Sequence, residues 1–591
     1  MSHRSAAKVA ATAIVLWGAA ASAQTAPAPD PSTPAASAPD STQPVITPPA
    51  STPDSTRPVI TPPASAPDST QPAIAEPKTT QPGTPVALAS TPGQAMTTLH
   101  GWKGTFYGFV EFDAIRDSTQ SFGDSVGNTP LLRTDGSIPS YITPLFTPTK
   151  SYASTNPRVI FTPRNTTFGF RVEPPEVGNV RLTSVIEFDF FGNQPTNPLN
   201  SDQGNSPTTE GSYLSSATPR MRHAYVEAKT PIVDVLAGQA YNLFAWEPLF
   251  FPATDSFLGL PNMIFDRRAQ IRLTKRLESR PVTVTVAGAA LRPAQADSGF
   301  PDLVGGLLFQ INDWKGAHML GPSQPKHDAL SIGVSGIYRQ FKVAQWQNNG
   351  GDPGLYTEQA ASANGSGFSI DALIPIIPVK DIKDRRNGLT VTGSFVSGTG
   401  IGDLYTGGLT GGATFPVPPN QGVLNTGTYG PNIDPGVVQY SVMVDPVTGT
   451  QVLTNGAATG VLRTLNWRTY MAGLQYYLPF LDGRFVITGN YTRAQSDNML
   501  EQQAPNPACG NSSGFCFAVE KNAGGNPTRT YRAANYYDAN LFMGITDSLK
   551  IVLSWQRVEQ IFLAHGLAGQ EVMGDSSEHN DRFEFSTFFF F

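Results

Sequence analysis

Asn580-Asp-Arg-Phe-Glu-Phe-Ser-Thr-Phe-Phe-Phe-Phe591 is the stretch on which the reading of this chain turns. Phe583, Phe585, Phe589 and Phe591 share one parity with Thr587 between them, while Arg582, Glu584 and Ser586 take the other. Side chains alternate across a strand, so the segment has an apolar face and a face that starts out charged. Such a strand suits a soluble sandwich, whose apolar faces need a second sheet. It equally suits a membrane barrel, where the apolar face meets lipid and the charged face lines water.

The same alternation runs back along the chain. In Gly104 to Ile115, Phe106, Gly108, Val110, Phe112 and Ala114 oppose Thr105, Tyr107, Glu111 and Asp113. In Asn179 to Phe190, Leu182, Ser184, Ile186, Phe188 and Phe190 oppose Arg181, Thr183, Glu187 and Asp189. Strands are expected at 104–115, 157–173, 179–191, 219–229, 232–241, 265–277, 281–291, 303–313, 328–341, 365–376, 386–398, 464–478, 483–497, 530–544, 547–562 and 579–591, about sixteen in all. The segments 303–313 and 365–376 are the weakest, the latter interrupted by Pro375 and followed by Pro378. Connections are read as alternating strictly between long (116–156, 192–218, 242–264, 399–463, 498–529) and short (174–178, 230–231, 278–280, 479–483, Thr546). Short turns at one end and long loops at the other, with an even strand number, belong to an up-and-down transmembrane barrel, and a sandwich has no reason to show them. The expected fold is all-β, an antiparallel barrel over 99–591.

Composition agrees. Charged residues are 15% and aromatics 10%, with 56 Gly, a balance that favours strands and turns over helices. Mean hydropathy is −0.19, and past the first 25 residues or so no apolar run approaches the roughly 20 that a membrane helix needs. The net charge of −6 offers no footprint for nucleic acid.

At the N-terminus Arg4 and Lys8 precede an apolar run from Val9 to Ala20 and an Ala21-Ser22-Ala23 cleavage site, so 1–23 reads as a secretory signal peptide. Residues 24–98 are rich in Pro, Ala, Ser and Thr. A 14-residue unit, Ala38 to Ser51, recurs as Thr52 to Ser65 and decays from Ala66. Dense proline removes backbone donors, which makes this arm an extended, disordered tether. Export together with the closing Phe591, which matches the signal read by the barrel assembly machinery, predicts the Gram-negative outer membrane, with its lipid and that machinery as partners. Phe583, Phe585, Phe589 and Phe591 carry that signal. Cys509 and Cys516 sit close together in Pro-Ala-Cys-Gly-Asn-Ser-Ser-Gly-Phe-Cys and are expected to form a disulfide rather than a metal site.

One connection is unlike the others. Asn242 to Ile264 contains Trp246, Phe250, Phe251 and Phe257 and is too apolar for a surface loop, so it is expected to fold into the barrel and narrow it. A packing role at a subunit interface is the alternative. Trp246, Glu247, Phe250 and Asp255 would form the constriction. Arg158, Arg164 and Arg171 are read as sharing a face. Arg171, Arg181, Arg268 and Arg272, with Glu187 and Asp189, are expected to line the pore, because charge facing lipid is costly. Columns of Arg favour anions, unless Arg181, Glu187 and Asp189 merely neutralise one another. Arg222 breaks the pattern by falling on the parity of Ala224, Val226 and Ala228.

Enzyme signals are weak. Gly510-Asn-Ser512-Ser-Gly514 matches G-x-S-x-G but lacks the strand-to-helix turn that exposes a nucleophile. The histidines show no H-E-x-x-H spacing, and neither a metal nor a cofactor is expected.

Gly104 to Ile115, Thr167-Phe-Gly-Phe-Arg171, Pro219 to Glu227 and Leu236 to Phe244 resemble the DcaP-like family of outer-membrane porins. The resemblance implies a sixteen-stranded homotrimer passing small, often anionic solutes such as dicarboxylates. Family members tend to carry a coiled-coil arm where this chain has its Pro-rich repeat. The expected function is passive diffusion of small hydrophilic solutes. A structural or adhesive barrel, its lumen plugged and its long loops binding partners, is the alternative.

Overall fold

The computed structural model describes residues 95–97, 101–119, 156–192, 218–293, 298–348, 356–406, 438–442, 453–454, 457–458, 460–498, 520–521, 527–528, 531–562 and 576–591. All of them belong to the unit Lys78–Phe591. The signal segment, the Pro-rich repeat, Cys509 and Cys516 lie outside the described residues.

Sixteen strands form one closed antiparallel ring: β1 (Lys103–Asp117), β2 (Arg158–Thr162 continued by Thr167–Glu173), β3 (Arg181–Asp189), β4 (Arg220–Lys229), β5 (Asp234–Tyr241), β6 (Arg267–Ser279), β7 (Val282–Leu291), β8 (Asp302–His318), β9 (Lys326–Asn348), β10 (Tyr356–Ile377), β11 (Leu389–Thr399), β12 (Asn466–Tyr477), β13 (Phe485–Gln495), β14 (Tyr531–Gly544), β15 (Leu549–Phe562) and β16 (Ser576–Phe590). Each pairs with the next, and β16 closes on β1 from Phe109↔Phe590 to Asp117↔Arg582. Closure leaves no unpaired edge, which is what lets strands cross a bilayer that offers no water to backbone groups. The outer face bears it out. Val110 is 52% exposed and Phe161 62%, whereas Glu111 and Asp113 on the inner parity of β1 are wholly buried. The barrel spans a membrane with its apolar side chains outward.

The two strands with the weakest sequence signal belong to the framework. β10 runs for 22 residues, and beside Pro375 the ladder shifts register rather than breaking. β9 and β10 are both far longer than the roughly 9–11 residues a membrane strand needs. The contrast of connection lengths is not strict: 292–301, 319–325, 349–355 and 378–388 are comparable, so the alternation lapses between β7 and β11.

Two irregularities reset the parity. Between the halves of β2, residues 163–166 stand opposite only 110–112 of β1, so the facing of the strand inverts. Pro163 has no N–H for the ladder there. Arg158 and Arg171, read from the sequence as sharing a face although their positions are of opposite parity, both lie on the inner side only because of this inversion. In β4, Glu187 pairs with His223 and Phe188 with Met221, which leaves Arg222 as the extra residue of a bulge. The bulge turns Arg222 inward, where it is wholly buried, and removes the conflict with Ala224 and Val226.

The core of the molecule is the inside of the ring. The connection from β5 to β6 folds inward and packs Phe244, Trp246, Phe250, Phe251 and Phe257 against the wall. The wall makes room with glycines. A Cβ on Gly306 would lie 2.8 Å from the Trp246 ring, and one on Gly333 would lie 2.7 Å from it and 2.8 Å from Phe250. A Gly333→Val barrel is therefore expected to lose about 1–3 kcal/mol through overpacking. Urea unfolding in micelles, followed by the heat-shifted gel mobility of the folded form, measures this, and an unchanged midpoint refutes the contact.

Candidate functional site

The inner loop begins as β5 ends. Asn242 accepts the Phe244 N–H (3.0 Å) and donates to Asp266 (3.1 Å), pinching the base of the loop. From there the chain crosses the lumen and is held on every side by the wall. The Ala245 N–H donates to Ser335 (2.8 Å) and the Trp246 indole to the Val334 carbonyl (3.0 Å), both on β9. Asn490 of β13 donates to the Ala253 carbonyl (2.7 Å), and Asn262 donates to Thr492 (3.2 Å). Phe257 stacks on Phe109 of β1 at 4.6 Å and meets Phe588 and Phe590 of β16 edge-on. Loop backbone groups taken from water need such partners, and these wall side chains supply them.

The four residues expected to form the constriction have different surroundings. Trp246 and Phe250 are packing groups, buried in the cluster that includes Ile337, Val396 and Trp467. Glu247 is turned back on the base of the loop, where its carboxylate accepts the Asp266 N–H at 3.0 and 3.2 Å. Burial pushes its pKa well above the usual carboxylate range against that hydrogen bond. Asp255 crosses to the far wall and accepts from Gln556 at 2.5 Å.

The residues predicted to line the pore separate on inspection of their partners. Arg171, Arg268, Arg272, Glu187 and Asp189 all lie on inward-facing positions of their strands. Arg268, however, is bonded to Asp266 (2.8 Å), Asp302 (3.1 Å) and Asp403 (2.5 Å), and Arg339 shares Asp302 (2.9 Å) and Asp403 (2.5 Å). Two guanidiniums meet three carboxylates, so this part of the stripe carries no spare positive charge. Burial works to raise the Asp403 carboxyl, yet Arg339 and Arg268 hold it well below its ordinary range. Glu187 and Asp189 are taken up by Arg222 at 2.8 and 3.0 Å, with Arg220 also on Asp189 at 2.6 Å. Arg181 shares the parity of Glu187 but sits at the short-turn end of β3, its side chain 57% exposed and 2.6 Å from Glu176. Arg164 is buried against Phe191.

What is left on this side is a smaller basic patch. Arg272 donates to Gln270 (3.0 Å) and to the Tyr241 carbonyl. Arg267 lies over the Tyr241 and Phe265 rings, with its Nη1 buried and unpartnered. Arg171 lies over Tyr107 at 5.8 Å.

Several participants were missed by the sequence reading, Arg267 and Asp302 among them. Arg339 could have been found by parity, since it alternates inward along β9. Asp403 could not, because it lies in a Gly- and Thr-rich connection with no periodic signal. The described start of that connection, 400–406, packs inside, pairing Tyr405 with Ile264 and joining Leu404 to Phe265 by a 2.9 Å backbone bond. The turn 319–325 also enters the lumen from the short-turn end. Gly321 donates to the Pro252 carbonyl (3.0 Å), and Lys550 caps the Pro322 and Ser323 carbonyls at 2.7 and 2.6 Å. A short turn gave no hint of this.

No protein-family model and no curated protein sequence matches the chain. Among solved structures the chain is similar to the outer membrane channel DcaP of Acinetobacter baumannii, with 12% identity over 85% of this chain and 100% of that one and a TM-score of 0.47. It is also similar to the anion-selective porin from Comamonas acidovorans, with 9% identity over 83% of this chain and 100% of that one and a TM-score of 0.40. For OprB of Pseudomonas putida the identity is 10% over 82% and 94% of the two chains, and the TM-score is 0.38. These are remote likenesses, and the barrel fold rests on the closed strand order of the chain itself.

Proposed function

We propose that this protein is a porin of the Gram-negative outer membrane, a homotrimer through whose barrels small hydrophilic solutes diffuse. The observation that carries this reading is the inner loop. A sixteen-stranded ring is wide enough for a water-filled lumen, and here the β5–β6 connection crosses it and touches the wall from β1 to β16. Such a crossing sets a size limit. Solutes pass between the loop and side chains that are charged or amide-bearing, which suits polar cargo. Arg171, Arg267 and Arg272 supply the basic side of that passage and would favour anions, including dicarboxylates, by charge-assisted pairing.

The density of packing favours a second reading. Inward groups at the level of the loop, among them Glu187, Arg222, Arg339 and Arg582, are essentially without exposed surface. A barrel this full could instead serve as a structural or adhesive platform with a plugged lumen and partner-binding loops.

Planar-bilayer recording separates the two. Purified protein is expected to form discrete channels, and removal of 244–264 is expected to raise single-channel conductance severalfold; a silent wild type that conducts only after the deletion would support the plugged barrel. Charge is tested by reversal potential in a salt gradient. Arg272→Gln and Arg171→Gln should each displace it toward cation preference, whereas Arg181→Gln, at the exposed rim, should leave it where it was. A shift from Arg181→Gln equal to the other two would defeat this assignment of the anion path.

A further inference from the structure

The inner wall made by β1, β15 and β16, several strands along the ring from Arg267 and Arg272 on β6, has an acidic character. Glu111 and Asp113 stand two residues apart on the inner face of β1, both wholly buried. Glu584 faces in from β16, and the loop brings Asp255 to the same place. Hydrogen bonds join them into one group. Asn165 donates to Glu111 (2.6 Å) and to Ser256 (3.4 Å), the neighbour of Asp255. A single Gln556 amide serves both Asp255 (2.5 Å) and Glu584 (2.9 Å). Asp113 pairs in register with Ser586, whose hydroxyl reaches Glu584 at 3.5 Å.

Donors run out before acceptors do. Both oxygens of Asp113, Oε1 of Glu111, Oδ1 of Asn165 and Oε1 of Gln556 are buried without a hydrogen-bond partner. Arg582 bonds Asp117 at 2.8 and 2.9 Å and spreads its charge over Glu584 and Asp255 as well, one cation beside four carboxyls of the group. Orphaned acceptors in a low-dielectric site call for hydrogen-bearing positive charge. Among the described residues no set of three carboxylates or histidines is placed to ligate a metal ion. An ammonium group brings three N–H donors on one charge and needs no fixed coordination geometry.

We propose that this acidic group binds the ammonium end of small organic cations, giving the lumen a cation subsite distinct from its basic patch. The claim goes beyond diffusion through the pore, and binding can be measured without it. Titration calorimetry of the full protein in detergent is done with 1,4-diaminobutane, with 1,4-butanediol as the uncharged counterpart and Mg2+ as the metal arm. Saturable diamine binding is expected, with no response to the diol. Glu111→Gln and Glu584→Gln should each weaken it about tenfold, the loss of roughly one charge-assisted hydrogen bond. Arg386→Gln, on the exposed turn after β10, should not change it. Folding of each variant is checked by its heat-shifted gel mobility, and Asp113→Asn serves if either fails to fold. Absent diamine binding, binding unchanged in the folded variants, or equal competition by Mg2+ would each overturn the proposal. Bilayer recording of the same samples keeps the two readings apart: channels without diamine binding sink only this one, and diamine binding without channels sinks only the porin.

Discussion

Everything inside this barrel follows from placing an apolar loop within a polar ring. The strand faces that look inward carry hydroxyls, amides and charges, and the loop carries rings and main-chain groups cut off from water. Each buried carbonyl and N–H of the loop must find a partner, since an unmade bond in such a place costs more than a made one contributes. The wall side chains answer that need one by one. Ser335, Asn490 and Thr492 are spaced around the ring where the loop presents Ala245, Ala253 and Pro261. Gly306 and Gly333 withhold side chains where Trp246 requires room. Loop and wall are complementary in hydrogen bonding and in shape at once.

Charge obeys the same discipline. A guanidinium in a packed interior is tolerable when carboxylates surround it, and removal of one partner is far more damaging than removal of both. Arg268 and Arg339 with Asp266, Asp302 and Asp403, and Arg220 and Arg222 with Glu187 and Asp189, are therefore structural knots more than selectivity filters. They staple strands β3 and β4, and β6, β8 and β9, to elements arriving from elsewhere. Of the basic groups with less neutralisation, Arg267 and Arg272 stand on β6, apart from the acidic group, and Arg171 stands on β2 beside β1.

Much of this was legible in the sequence, and for definite reasons. All sixteen strands announce themselves because lipid on one side and water on the other enforce a period of two. The inner loop announces itself because Trp246, Phe250, Phe251 and Phe257 have no business in water. Periodicity fails where a single residue is inserted: the β2 break at 163–166, marked only by Pro163, and the bulge at Arg222, which no local propensity marks, both invert facing. Pairing fails for a different reason. That Arg268 is neutralised depends on Asp403, 135 residues away, in a stretch with no pattern of its own. Strand facing is local information, whereas ion pairing across a lumen is not.

The reach of the inner loop bears on how the ring comes together. Its partners lie on strands that come early in the chain, such as Phe109 of β1 and Arg222 of β4, and on the last, such as Gln556 of β15 and Phe588 of β16. A loop emitted near the middle of the first half thus has most of its hydrogen bonds to strands that the chain has yet to supply. Until the seam between β1 and β16 is sealed, those loop groups lack their partners. Sealing the seam and seating the loop are accordingly one event, and the loop acts as an internal gauge of whether the ring has closed in the right register.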